Sequence, residues 1–180
     1  DSSTSRGLGD VYKRQLCTLG QMARVEAEVA KAQAQGGTVL CGGKRPDDLG
    51  GNYYEPTIID CPRQDMDIVD TEMFGPVLSV LRFKTEAEVI ELANDTVHGL
   101  AAGVFTQDSA RSLRVARAIE AGIVWVNTYR VVSPIAEFGG NKGSGYGRES
   151  GFQAMYDYTR PKTIWMNTSS EPMSNPFVMR

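Results

Sequence analysis

The chain has 180 residues, 22 of them acidic and 19 basic, for a formal net charge of −3. That length suits one domain of ordinary size with a real core, and the acidic balance, with no Lys/Arg run or basic stripe, argues against electrostatic binding of nucleic acid. No apolar segment approaches the roughly 20 residues that span a bilayer and no apolar signal core opens the chain, so a soluble, cytoplasmic protein with no membrane partner is expected.

Residues 1–15, DSSTSRGLGDVYKRQ, are polar and have no amphipathic period. The last six of them resemble the in-frame translation of a sequencing-adapter end, and the whole tail is expected to lie outside the fold. From Thr18 to Gln35, Met22, Val25, Val29 and Ala32 form a helical apolar stripe that Gly36-Gly37 stops. A short strand over 38–41 and a polar loop follow. In the segment 53–59, Pro56 predicts an edge strand or a strand entrance. Residues 60–71 read as an acid-rich loop. Glu72-Met73-Phe74-Gly75-Pro76 then leads into an apolar strand over 77–83, with the Gly-Pro pair holding Glu72 and Phe74 at its mouth.

Thr85 and Glu88 have capping-box spacing and open a helix to about Asn94 with Val89, Ile90 and Ala93 inward. A small-residue strand over 100–105 comes next, and Asp108 caps a second helix that buries Leu113, Val115, Ala116 and Ile119 before Gly122 ends it. The apolar run Ile123-Val124-Trp125-Val126 reads as a strand buried on both faces. Strand, helix, strand, helix, strand implies right-handed crossovers and a parallel α/β sheet. The strand's carboxyl end runs into a loop rich in glycine, the place where open α/β sheets hold ligands. A short helix is expected up to about Tyr158, an edge strand over 163–166, and a disordered tail over 169–180.

Several motifs fail on inspection. Gly42-Gly43-Lys44 is no phosphate loop, because Thr38 stands where the first glycine belongs and Arg45 where Ser or Thr is needed. Gly139, Gly140, Gly143, Gly145 and Gly147 do not complete a dinucleotide fingerprint, since Arg148 occupies its last position. They read as backbone devices that shape a loop. Cys17, Cys41 and Cys61 are an odd set without metal-ligand or disulfide spacing, and His98 stands alone, so no metal site is expected and all four read as structural or indifferent.

VNTYR at 126–130, FGGNKGSGYGRESG at 138–151 and TEMFGPV at 71–77 resemble, in order, the C-terminal signatures of the aldehyde dehydrogenase superfamily. The resemblance runs from about Leu16 to about Met166. It implies the parallel-sheet core of the aldehyde dehydrogenase catalytic domain with a C-terminal edge strand: a partial catalytic domain over 16–158 and an oligomerisation strand over 159–168. By the same resemblance, Glu72 holds the nicotinamide ribose of NAD or NADP and Phe74 packs beside the nicotinamide. From residue types alone Glu72 would read as a solvated acid and Phe74 as a core aromatic. The resemblance further implies that Phe138 walls the aldehyde tunnel and that Val132 stands where some relatives carry a second aromatic. Arg130 either favours an anionic aldehyde or pairs with an acid, with pairing preferred. Glu137 departs from the proline common before the Phe-Gly-Gly turn.

The family's cysteine nucleophile, oxyanion-steadying asparagine, glutamate base and dinucleotide-binding half precede the point where the resemblance starts. No catalytic residue is therefore assigned, and the isolated chain is expected to be inactive while the complete enzyme oxidises a small-molecule aldehyde to a carboxylic acid. A homo-oligomer through Thr163, Ile164, Trp165 and Met166 is implied by the resemblance. Two other readings stay open: a non-catalytic protein that associates with full-length dehydrogenase subunits, and a related reductase acting on an acyl-enzyme or acyl phosphate. Neither the aldehyde nor the choice of NAD over NADP is readable.

Overall fold

A computed structural model describes residues 15–47, 49–171, 175 and 177. The expectations for residues 1–14, and most of that for the tail beyond 171, lie outside the described residues. Two units divide the chain: a larger one that runs to Val131 and resumes over Gly139–Gly147, and a smaller one of Val132–Phe138 with the chain from Arg148 onward.

In the larger unit, helix α1 (Leu19–Ala34) begins where the Thr18 hydroxyl accepts the Gln21 N–H at 3.1 Å, and it ends before Gly36, whose φ of 98° few other residues adopt cheaply. Met22, Val25, Val29 and Ala32 are all buried, as their spacing predicts. They pack with Tyr54, Ile59, Met66 and Ile68 into the main core. Strand β2 (Thr57–Asp60) is central in a three-stranded sheet, antiparallel to β1 (Thr38–Cys41) and parallel to β3 (Val77–Val80). Pro56 stands immediately before β2, at a strand entrance where its missing N–H removes no ladder bond. The segment read as loop contains one helical turn, α2 (Asp67–Asp70), because Ile68 turns inward and is buried.

Helix α3 (Glu86–Asn94) carries the expected capping box between Thr85 and Glu88. Helix α4 (Ser109–Ala118) is capped by Asp108, whose Oδ1 accepts from the N–H groups of Ala110 and Arg111 at 2.9 and 3.0 Å. Strands β4 (Ala101–Val104) and β5 (Ile123–Val126) pair in parallel, Ala101 opposite Ile123. They form a sheet of their own, so the parallel pairs among the described residues fall in two sheets: β3 and β4 are joined by α3 and are not neighbours. Several expected burials are incomplete: strand β5 is half-buried along its length, Val89, Ile90, Ala116 and Ile119 are half-buried, and Ala93 and Leu113 are exposed.

In the smaller unit, Phe138 and Glu149 exchange two backbone hydrogen bonds of 2.7 Å, and Gly151 N–H donates to the Pro134 carbonyl at 3.0 Å. Helix α5 (Ala154–Asp157) follows. Ile164, Trp165 and Met166 are exposed and join no ladder among the described residues. No helix among the described residues is long and apolar enough to cross a membrane.

Candidate functional site

Glu72 and Phe74 flank a residue that explains their placement. Met73 is buried in the core, and its two neighbours are exposed, the Phe74 ring 67% so. Buried Met73 thus anchors the segment while the side chains on either side of it face outward. Two residues of α1, one turn apart, hold this backbone: Arg24 Nη2 donates to the Glu72 carbonyl at 3.4 Å, and Gln21 Nε2 donates to the Phe74 carbonyl. Phe74 takes φ 47°, a left-handed conformation that costs a non-glycine residue about 1 kcal/mol or more and accumulates at ligand clamps. Gly75 then lets the turn press on α1: a Cβ there would stand 2.9 Å from Val25 Cγ2. Gln21 and Arg24, which hold the backbone of this candidate site, were missed by sequence reading. They look like the solvent side of an amphipathic helix, and the only signal was their i, i+3 spacing beside Met22 and Val25.

The β5 end is built as tightly. Asn127, with φ 52°, reaches across to β4's continuation: its Oδ1 accepts from Thr106 N–H and its Nδ2 donates to Thr106 O, both at 2.9 Å. The side chain thereby extends the β4–β5 ladder one step beyond the backbone pairing. Trp125 Nε1 donates to Val131 O at 2.8 Å and packs edge-to-face on Tyr129, centroids 5.4 Å apart. These contacts fix the 127–131 turn, and Arg130 sits in it exposed, with φ 60°. No carboxylate lies within ion-pair range of Arg130 among the described residues, so the pairing preferred from sequence is not made among them. In the other unit Val132 is exposed and Phe138 is half-buried beside its bridge to Glu149.

The glycine segment is a wedge and makes no phosphate cradle. A Cβ on Gly122 would fall 1.8 Å from the Gly139 carbonyl oxygen, so backbone lies directly on backbone there. Asn141 N–H donates to Gly99 O, and Gly143 N–H to Val97 O, both at 2.8 Å. Lys142, also at positive φ, locks the wedge: its half-buried ammonium donates to the Asn94 carbonyl at 2.6 Å, where α3 ends, and pairs with Glu120 at 2.7 Å. Of the cysteines, Cys17 and Cys41 are exposed, and burial pushes the Cys61 thiol up, which makes it a poorer nucleophile at neutral pH.

The sequence model described as "Aldehyde dehydrogenase family" matches residues 16–164. The chain belongs to the aldehyde dehydrogenase family. It is 51% identical over 166 residues to the (Z)-2-((N-methylformamido)methylene)-5-hydroxybutyrolactone dehydrogenase of Acinetobacter baylyi, covering 92% of this chain and 34% of that protein. It is 46% identical over 154 residues to the chloroplastic betaine aldehyde dehydrogenase of Atriplex hortensis, covering 85% of this chain and 31% of that one. The crystal structure of PnpE from Pseudomonas sp. WBC-3 superposes with a TM-score of 0.84 at 40% identity, over 91% of this chain and 34% of that one. The chain thus spans about a third of the length of these aldehyde dehydrogenases.

Proposed function

We propose that the chain is the nicotinamide-side and substrate-lining part of an NAD(P)-dependent aldehyde dehydrogenase that oxidises an aldehyde to a carboxylic acid. The observation that carries this is the pair of outward side chains on either side of buried Met73. A carboxylate accepts from two adjacent ribose hydroxyls, and an exposed aromatic ring gives a flat apolar face to a nicotinamide, so the residue types fit the group. The bound cofactor supplies the hydride acceptor. Glu72 orients it through the ribose, Phe74 keeps water from its face, and the α1 clamps from Gln21 and Arg24 hold both in place. The cysteine nucleophile, asparagine and glutamate base belong to other parts of the complete enzyme. The subunits associate through the 163–166 segment, whose exposed Ile164, Trp165 and Met166 are open to strand addition.

The substrate we favour is an aldehyde that carries a carboxylate. By the family resemblance Val132 and Phe138 line the tunnel; exposed Arg130 has no carboxylate within ion-pair range among the described residues. A 5-hydroxybutyrolactone opens to an aldehyde bearing a carboxylate, so the name of the Acinetobacter relative fits this reading, whereas betaine aldehyde is a cation that Arg130 repels. The test uses the complete enzyme that contains this segment, followed by NADH absorbance. Glu72→Gln is expected to raise the KM for NAD at least tenfold. Arg130→Gln is expected to lower kcat/KM for 4-oxobutanoate about fivefold, the worth of roughly 1 kcal/mol from an exposed ion pair, and to leave a neutral aldehyde unaffected. An unchanged cofactor KM in Glu72→Gln overturns the cofactor assignment. Aldehyde-dependent NADH formation by the 180-residue chain alone overturns the assignment of the nucleophile to other segments.

A further inference from the structure

We infer that His98 is a positioning residue for the cofactor arm: its ring ties down the backbone two residues before Glu72, and the direction of the Glu72 carboxylate depends on that tie. The inference rests on the reading of Glu72 as the ribose ligand. Asp70 closes the single turn of α2 and stands two residues ahead of Glu72. It receives two bonds from the segment that follows α3: His98 Nε2 donates to its carbonyl at 3.1 Å, and Thr96 Oγ1 donates to its Oδ1 at 2.6 Å. A carbonyl only accepts, so the ring nitrogen that faces it carries a proton, and it does so in the neutral and in the charged imidazole alike. The Thr96 hydroxyl also accepts from the His98 N–H at 3.2 Å, which keeps the two donors together.

The ground from which these donors reach is firm. The Val97 carbonyl accepts from Gly143 N–H at 2.8 Å, and Gly99 N–H donates to Ser144 Oγ at 3.0 Å. Gly99 is buried with backbone against it: a Cβ there would stand 2.9 Å from the Asn141 carbonyl oxygen. The arm is held less firmly from its other side. Arg24 Nη2 reaches the Glu72 carbonyl at 3.4 Å, long for a hydrogen bond, and one helical turn does not hold its own end. Glu72 therefore lies between two fixed points, buried Met73 after it and tied Asp70 before it. Without the tie at Asp70 the chain pivots about Met73, and the carboxylate spends less time where two ribose hydroxyls would meet it.

The test uses the complete enzyme that contains this segment and reads the Kd for NAD by calorimetry, without turnover. His98→Phe keeps a ring and removes the donor, and it is expected to weaken NAD binding about fivefold, the effect of one neutral hydrogen bond. Thr96→Val removes the other bond to Asp70 and is expected to weaken binding by a similar factor. His98→Gln, whose amide N–H can stand in for Nε2–H, is expected to return the Kd to within twofold of the parent. At saturating NAD, His98→Phe leaves kcat and the aldehyde KM within twofold. In the cofactor-free enzyme, its Thr71 amide, bonded to the Asp67 carbonyl at 3.0 Å, is expected to exchange faster. An unchanged Kd in His98→Phe beside a weakened one in Glu72→Gln overturns the positioning role and leaves the ribose assignment standing. Loss in His98→Gln equal to that in His98→Phe also overturns it, as does a fall in kcat with a rise in both KM values and a lower melting temperature, the mark of a merely structural residue. An unchanged Kd in Glu72→Gln overturns the ribose assignment and this inference with it.

Discussion

Replacing Lys142 by Met separates two effects that converge on one ammonium group. The Lys142 side chain is 25% exposed, and its Nζ caps the Asn94 carbonyl at 2.6 Å while pairing with Glu120 at 2.7 Å. Glu120 is 60% exposed, so water solvates it once the lysine is gone, and the ion pair is worth a few tenths of a kcal/mol. The carbonyl is part-buried at a helix end, and losing a charged donor there costs about 1.5–3 kcal/mol. Lys142→Met is therefore expected to destabilise the chain by about 2 kcal/mol and Glu120→Gln by less than about 0.5 kcal/mol. Urea unfolding followed by circular dichroism reads this as a midpoint drop of roughly 1 M for Lys142→Met and almost none for Glu120→Gln. Molar salt should leave the gap between the variants in place, since it screens only the exposed pair. Equal losses from the two substitutions, or disappearance of the Lys142→Met loss in molar salt, would refute the primacy of the carbonyl cap.

Two further expectations concern stability. Ile59→Ala removes a fully buried side chain from the central strand of the three-stranded sheet, and about 2–5 kcal/mol of unfolding free energy is expected to go with it in the same titration. Glu86 is held below the ordinary carboxylate value first by its bonds to Arg114 and also by those to Arg111, a link between α3 and α4. A carboxyl depressed in the folded state stabilises the fold above its unfolded value, and that contribution disappears as the pH falls from there through the folded value. The melting temperature should accordingly drop as pH is lowered below the usual carboxylate range, and Glu86→Gln should flatten the drop. A parallel pH profile in the variant would count against this link.

The local elements were legible in the sequence because short-range rules set them. The stripe Met22, Val25, Val29, Ala32, the Thr85–Glu88 capping box and the Asp108 cap each depend on residues within a turn or two of one another. Glu72 and Phe74 were singled out by the family resemblance, whereas residue types alone make Phe74 a core aromatic; its exposure beside buried Met73 came from the structure. Other features could come only from tertiary structure. The clamps from Gln21 and Arg24 act across 53 and 48 residues, and nothing in an amphipathic helix says which polar residue will meet a distant carbonyl. The glycine wedge is of the same kind: that Gly122 must be bare is a fact about Gly139, which arrives only when the chain returns. So too is the separation of β3 from β4. Periodicity records that a strand is apolar and that a helix has an inward face, but which strand lies alongside is decided by packing among segments far apart in sequence.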